Sequence, residues 1–391
     1  MEENKTVDTE NSPGAERFGE KKKREPLIHI TKRDGMTFSR GMLIRVIAVI
    51  SAILVTSILA FFLLGKNPVD LFSAIMNGTF GTADNLWVAL RNTAILLLIS
   101  LAVTPAFKMR FWNIGAEGQV YAGALGCAFV MIECGGLGWP EPVLLGTMLV
   151  AALLAGAIWA VIPAIFKVWF GTNETLFTLM MNYIIMNIIT FCTLFFGWGA
   201  SKGSTNVGLI NFFTGKQGWL PDLLENPYLL VILLALVITV IMYIYLRFSK
   251  QGYEISVVGE SEKTARYVGI GVGRVVIRTM LITGALCGLV GFLLVSGVDH
   301  TVDTRIVDSR GFTAIMVSWL SKFNPFIMIG TSFLLVFLDK GASEMASSLR
   351  LDSSFGDIMT GIIILFIIGC EFFINYRVHF RKSQKEEVTA V

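Results

Sequence analysis

Charge is scarce in this chain: Asp, Glu, Lys and Arg make up 16% of its 391 residues, against about 25% in an ordinary soluble domain. Histidine is scarcer still. His29 and His379 lie in the polar ends, and His300 follows an apolar window instead of lying inside one, so a histidine proton relay at membrane depth is not indicated. The five cysteines (Cys127, Cys134, Cys192, Cys287 and Cys370) are scattered. They form neither a disulfide framework nor a zinc-ligand spacing, and they read as small packing residues. A phosphate-binding G-x-x-x-x-G-K-[ST] loop is also missing. The nearest string, Thr214-Gly215-Lys216, lacks the first glycine, so ATP cannot be bound and hydrolysed by that route. Neither H-E-x-x-H nor G-x-S-x-G occurs, which leaves a membrane-embedded enzyme without a nucleophile, base or metal set. No cofactor or metal is expected.

Apolar residues fill the space that charge leaves: 54% of the chain is hydrophobic and the mean hydropathy is +0.67. The charges fall in short blocks separated by uncharged windows of about 20 residues, the length a helix needs to cross roughly 30 Å of hydrocarbon. An all-α integral membrane protein of about ten transmembrane helices follows. The spans are expected near residues 44–64, 88–107, 117–133, 142–164, 176–197, 227–247, 276–297, 312–321, 325–339 and 356–375. The eighth is short, because only 11 uncharged residues separate Arg310 from Lys322; it is a half-helix buried in protein or a re-entrant segment.

Ten crossings with both termini in the cytoplasm put about 24 of the 32 Lys and Arg residues on the cytoplasmic side and about 7 in outer loops, as the positive-inside bias requires. Residues 1–40 read as a disordered basic tail, 41–376 as the membrane domain and 377–391 as a second cytoplasmic tail. The run from Lys21 to Arg24 and a net charge of +3 suit anionic lipid headgroups better than nucleic acid.

Two connections carry more than a linker needs. Residues 249–274 are charged yet retain Ile255, Val257, Val258, Tyr267 and Ile270. The outer segment 197–226, rich in Gly, Ser, Asn and Trp, either caps a pore, receives an external partner or merely connects. Gly284, Gly288 and Gly291 on the seventh span, and Gly123 and Gly126 on the third, make small-residue faces for close helix packing.

Polar groups at membrane depth cost a few kcal/mol each unless they face protein or water. Asn113, Glu117 and Gln119 gather at the start of the third span, Asn173, Glu174 and Asn182 at the start of the fifth, and Glu371 lies in the tenth. The first two groups fall near the cytoplasmic ends. They are gate residues or interfacial helix caps, Asn173 before Glu174 being a plausible helix start. Arg91 can snorkel outward. Asp299, His300 and Asp303 line an outer vestibule or belong to a solvated loop.

The string Phe111-Trp112-Asn113-Ile114-Gly115-Ala116-Glu117-Gly118-Gln119 resembles the NIGAEGQ signature of bacterial ABC-importer permeases of the nucleoside and simple-sugar branch. Asn173-Glu174-Thr175-Leu176 through Met181-Asn182-Tyr183 is similar to the second block of that family, and Gly259-Glu260-Ser261 through Ala265-Arg266-Tyr267-Val268-Gly269-Ile270 to the third. Ser261 stands where the family has Asn, and Thr264 replaces the first Ala of the block. Gly311 to Ile315 and Asn324-Pro325 resemble a fourth block.

The resemblance implies a type II importer fold that works with a cytoplasmic ABC ATPase, a second permease subunit and an extracellular substrate-binding lipoprotein. It implies a gate around Asn113, Glu117, Gln119, Asn173, Glu174 and Asn182. Residues 249–274 become a coupling loop that docks on the ATPase through Glu260, Ala265, Arg266, Tyr267, Gly269 and Ile270. Nucleosides are the implied cargo, with simple sugars and riboflavin as relatives' alternatives. An ion-gradient carrier, which would also use buried acids between helices, is the competing class.

Overall fold

The computed structural model describes residues 28–32 and 38–380, apart from 66–67, 202, 206, 214, 349 and 351–352. Two compact units are distinguished, residues 51–365 and residues 1–50 with 366–391. In the smaller unit, β1 (Ile28–Lys32) pairs antiparallel with β2 (Tyr376–Phe380), Ile28 opposite Phe380. The β-branched residues Ile28, Ile30, Thr31 and Val378 suit a pleated ladder, so a strand stands at 28–32 where the sequence suggests a disordered tail. The rest of residues 1–37 and all after 380 lie outside the described residues. Ala48, Cys370 and Ile374 form a small core here, with Ile44 packed against it.

Thirteen helices are described. They are α1 (Phe38–Leu64), α2 (Pro68–Phe80), α3 (Ala83–Lys108), α4 (Ala116–Gly135), α5 (Glu141–Phe170), α6 (Glu174–Phe195) and α7 (Leu229–Phe248), followed by α8 (Lys250–Glu260), α9 (Glu262–Tyr267), α10 (Val272–Gly297), α11 (Arg310–Leu320), α12 (Pro325–Ser348) and α13 (Ser353–Asn375). Eight of them are long and apolar enough to cross a membrane. α11, of 11 residues, is the short eighth element expected from the charge spacing. α2 has no counterpart among the expected spans. α12 outruns its expected end at 339, because the charges that close the apolar window, Asp339 and Lys340, line a polar cavity inside the chain.

The centre of the larger unit is the mutual packing of α4, α5 and α10, and small residues make it possible. A Cβ on Gly288 would lie 2.2 Å from the Ala152 carbonyl oxygen, and one on Gly123 would lie 2.5 Å from the Gly288 Cα. Backbones this close gain dispersion contacts that larger side chains forbid, the main source of helix association in lipid. α3 is buried almost without interruption from Asn92 to Phe107, as befits a helix apolar on every side. The Ser318 hydroxyl of α11 donates to the Ser100 carbonyl of α3 (2.9 Å). On α7 the buried residues Val231, Ala235, Thr239, Met242 and Leu246 form one narrow stripe. Leu233, Val237, Ile241 and Ile244 remain exposed on other faces, as lipid contact requires.

Candidate functional site

The chain between α3 and α4 is short, and α6 grips it from the side. Asn182, buried in the third turn of α6, donates its amide to the Ile114 carbonyl (3.0 Å) and accepts the Gly118 N–H (2.9 Å). One turn earlier the Thr178 hydroxyl accepts the Ile114 N–H (3.2 Å). Asn113 and Gln119 close the joint from within. Their amides pair reciprocally at 3.2 and 3.4 Å, and Asn113 also accepts the Gly115 N–H (3.0 Å). Asn113, Gln119 and Asn182 are 0%, 1% and 3% exposed, so these partners replace water completely. Gly118 permits the approach, since a Cβ there would sit 2.7 Å from the Asn182 amide oxygen.

Glu117 turns away from this network toward α11. One carboxylate oxygen accepts the Ser309 N–H (3.0 Å) and the other the Gly311 N–H (2.9 Å). Asp308 and Ser309 both take positive φ, 52° and 56°, strained for residues other than glycine. The N–H groups of Ser309 and Gly311 are thereby aimed at one carboxylate, an anion-binding arrangement at the N-terminus of α11. Glu117 also lies in the first turn of α4, so the positive ends of two helix dipoles converge on its carboxylate.

Asn173 and Glu174 stand apart from this joint. Asn173 caps α6 through the Leu176 N–H (3.2 Å), and Glu174 pairs with Lys167 at the end of α5 (2.7 Å). Asn182 lies eight residues further along α6, about 12 Å at 1.5 Å per residue. The joint is buried at the N-terminal end of α4, and the Glu174 ion pair forms a separate layer from it. The side chain of Glu371 lies outside the described residues.

Residues 249–274 form two short helices joined at an elbow, each with its own serine cap: Ser249 accepts the Gly252 N–H (2.9 Å) and Ser261 the Thr264 N–H (3.2 Å). Ile255, Val258 and Ala265 are buried with Met109, Phe111, Val275 and Met280, and Ile270 packs on that cluster. Glu254 binds Arg278 of α10 (2.8 Å). Gly259 lies so close to the end of α3 that a Cβ would meet the Lys108 carbonyl. From this foundation Glu260, Arg266, Tyr267, Val268 and Gly269 are exposed, Tyr267 by 94%.

Beyond α10, Asp303 accepts the Arg305 N–H (2.9 Å). His300 stacks on Trp219 with ring centroids 3.6 Å apart. Burial pushes the His300 imidazole down to about 4, so it is neutral at pH 7. Burial raises the Asp299 carboxyl from its ordinary range, opposed by the Arg310 and Arg91 guanidinium groups. Arg91 lies partly buried, its guanidinium 5.4 Å from the Tyr228 ring centroid. The segment 197–226 is fastened to this end. Leu220 N–H donates to the Ser296 carbonyl (2.8 Å), the Ser296 hydroxyl to the Gly218 carbonyl (2.6 Å) and Ile210 N–H to the His300 carbonyl (2.8 Å).

Sequence reasoning missed a second polar face on α6. Tyr183 and Asn187 are exposed and Thr190 partly so; at i, i+4 and i+7 they share one side of the helix. Asn187 donates only to the Tyr183 carbonyl of its own helix (2.7 Å). The signal was present in the spacing, but polar residues in an apolar window do not reveal from sequence which face is covered.

Long apolar helices joined by buried hydrogen bonds define a multi-pass membrane protein. The chain belongs to the family described as branched-chain amino acid transport system / permease component, whose model matches residues 85–368. It is similar to the guanosine ABC transporter permease of Bacillus subtilis, 30% identical over 76% of this chain and 84% of the relative. A glucose ABC transporter permease of Haloferax volcanii is 27% identical over 85% and 88%. A nucleoside ABC transporter permease of Lactococcus lactis is 27% identical over 84% and 91%. The chain is thus the permease component of an ABC importer.

Proposed function

We propose that this permease carries nucleosides into the cell across a bacterial cytoplasmic membrane, driven by a separate ABC ATPase and supplied by an extracellular binding lipoprotein. The observation that carries the coupling is the elbow of α8 and α9. Arg266, Tyr267 and Val268 stand in solvent on a base whose Ile255, Val258 and Ala265 are fully packed. A rigid root with an exposed apolar tip suits a partner that pushes on it. The ion pair of Glu254 with Arg278 and the close contact of Gly259 with α3 give the push two discrete routes into the spans. This end, with both termini, faces the cytoplasm, in keeping with the positive-inside bias.

The passage runs along the exposed side of α6 past Tyr183, Asn187 and Thr190, and is completed by a second permease subunit. Polar groups left open on a membrane helix belong to a wet path or to a partner. The joint of Asn113, Gln119, Asn182 and Glu117 acts behind this wall as the gate's hinge, and Asp299, His300 and Asp303 shape the outer mouth. Nucleosides as cargo are supported by the guanosine and nucleoside permeases among the relatives; glucose is the rival, on the strength of the Haloferax volcanii relative.

The test is uptake of labelled guanosine into proteoliposomes holding this chain with its ATPase, second permease and binding protein. ATP-dependent accumulation that excess glucose does not suppress is expected. Uptake that ignores ATP but follows an imposed ion gradient overturns the importer reading, and ATP-dependent uptake of glucose alone overturns the nucleoside.

A further inference from the structure

A cavity of about 550 Å³ lies among α3, α11, α12, α13 and the turn that opens α11. It falls within the size range of small-molecule sites, about 300–1,000 Å³. Its walls are not those of a packing defect. Nine of its fifteen lining residues are polar or charged, whereas voids left between apolar helices are apolar and dry. Polar groups within membrane spans mark solute paths.

The charges restrict the occupant. Two carboxylates, Asp308 and Asp339, are matched by two cations, Arg310 and Lys340. With no net charge, the lining gives neither an anion nor a cation a net attraction to offset its desolvation, while its donors and acceptors hydrogen-bond hydroxyl, amide and ring-nitrogen groups of either polarity. Thr313, Ser343 and Thr360 add hydroxyls, while Leu96 and Ile363 give an apolar wall against which a flat base or a sugar face can lie.

We propose that this cavity is a holding site inside the permease for an uncharged, hydroxyl-rich solute, a nucleoside before a nucleotide, separate from the exposed face of α6. It rests on the importer reading for its cargo. Its wall includes the strained turn Asp308–Ser309, and Glu117 holds the Ser309 N–H of that turn together with the Gly311 N–H just beyond it. A solute bound to Asp308 and Arg310 therefore pulls on the same turn that fixes α11 to α4.

The test uses the complete reconstituted complex carrying Ser343→Cys, with the unsubstituted chain labelled in parallel to account for its own five cysteines. Modification of the introduced thiol with a bulky methanethiosulfonate is expected to slow guanosine uptake at least tenfold, and reduction of the mixed disulfide to restore it. Guanosine is expected to slow the labelling at least threefold, and guanosine monophosphate to leave it unchanged. Guanosine uptake that survives full labelling, or labelling that guanosine does not slow, overturns the cavity site and leaves the importer reading intact. A complex that imports glucose instead of guanosine, with that uptake blocked by the label, keeps the cavity and overturns the nucleoside.

Discussion

Two asparagines five residues apart on α6 occupy opposite situations. Asn182 is buried, and both ends of its amide are bonded to the chain between α3 and α4. Asn187 is exposed and bonds a carbonyl of its own helix. The same side chain on the same helix is thus a fastener in one place and an open polar surface in the other. Partner geometry, not residue type, separates a structural polar group from one available to a solute. A fully satisfied amide in a low-dielectric interior holds one arrangement, whereas an exposed one exchanges partners freely.

The sharpest way to break this comparison is Asn182→Ala. It strands the Ile114 carbonyl and the Gly118 N–H, at about 1–3 kcal/mol for each buried group left unpaired. The expected result is a detergent-solubilised protein whose unfolding midpoint falls by several degrees and whose uptake is lost. An unchanged midpoint would show that the joint does not hold the bundle. Glu117→Gln is milder, because shape is kept while the charge facing two helix N-termini is removed, a loss of about 1–2 kcal/mol. Uptake is expected to fall about tenfold with assembly intact, measured by co-purification with the partner subunits. Asn187→Ala is expected to move the midpoint by less than about 0.5 kcal/mol equivalent while reducing uptake severalfold. Full uptake would take the exposed face of α6 out of the passage. Glu174→Gln removes an ion pair that is partly open to solvent, with Lys167 and Glu174 side chains 34% and 15% exposed. Its stability cost is expected at about 0.5–1 kcal/mol, shrinking in high salt. Uptake falls less than with Glu117→Gln if the gate lies at the joint, and as much if the gate lies at the end of α6.

Much of this was legible in the sequence, for physical reasons. Uncharged windows long enough to span hydrocarbon mark the helices, and the 11-residue gap between Arg310 and Lys322 marks α11, because lipid tolerates few alternatives to a helix. The glycines at 284, 288 and 291 announce close contacts, and Ala152, Gly156 and Ala160 of α5 and Ala124 of α4 meet them. Asn113, Glu117, Gln119 and Asn182 could be picked out because polar residues in lipid need a reason. Their partners could not: Glu117 reaches backbone N–H groups 192 and 194 residues away, and a backbone donor carries no residue signature. Asp339 and Lys340 misled in the opposite sense. Charge normally ends a span, but here it faces a cavity inside one.

The outer end sharpens the comparison from its weakest side, since its half-buried imidazole is held neutral by its surroundings. His300 titrates near 4, against an ordinary value of 6.5, chiefly because burial disfavours its charged form. The unfolded chain therefore takes up a proton at a higher pH than the folded one. By linkage, stability is undiminished above about pH 6.5 and declines as pH falls from there toward 4, below which the loss is complete. Partial exposure limits the effect and the Asp222 carboxylate works against it, while Lys216 and Arg91 act in the same sense as burial. Replacing the imidazole by a neutral aromatic ring of similar reach, His300→Phe, keeps the stack on Trp219 and removes the titration. Unfolding midpoints at pH 7.5 and 5 are expected to converge in this variant and to differ in the unsubstituted chain. A variant that keeps the whole pH dependence would place its origin in a group other than His300, and not in Asp299. The raised titration of Asp299 acts in the opposite sense, making the folded state bind its proton first as pH falls.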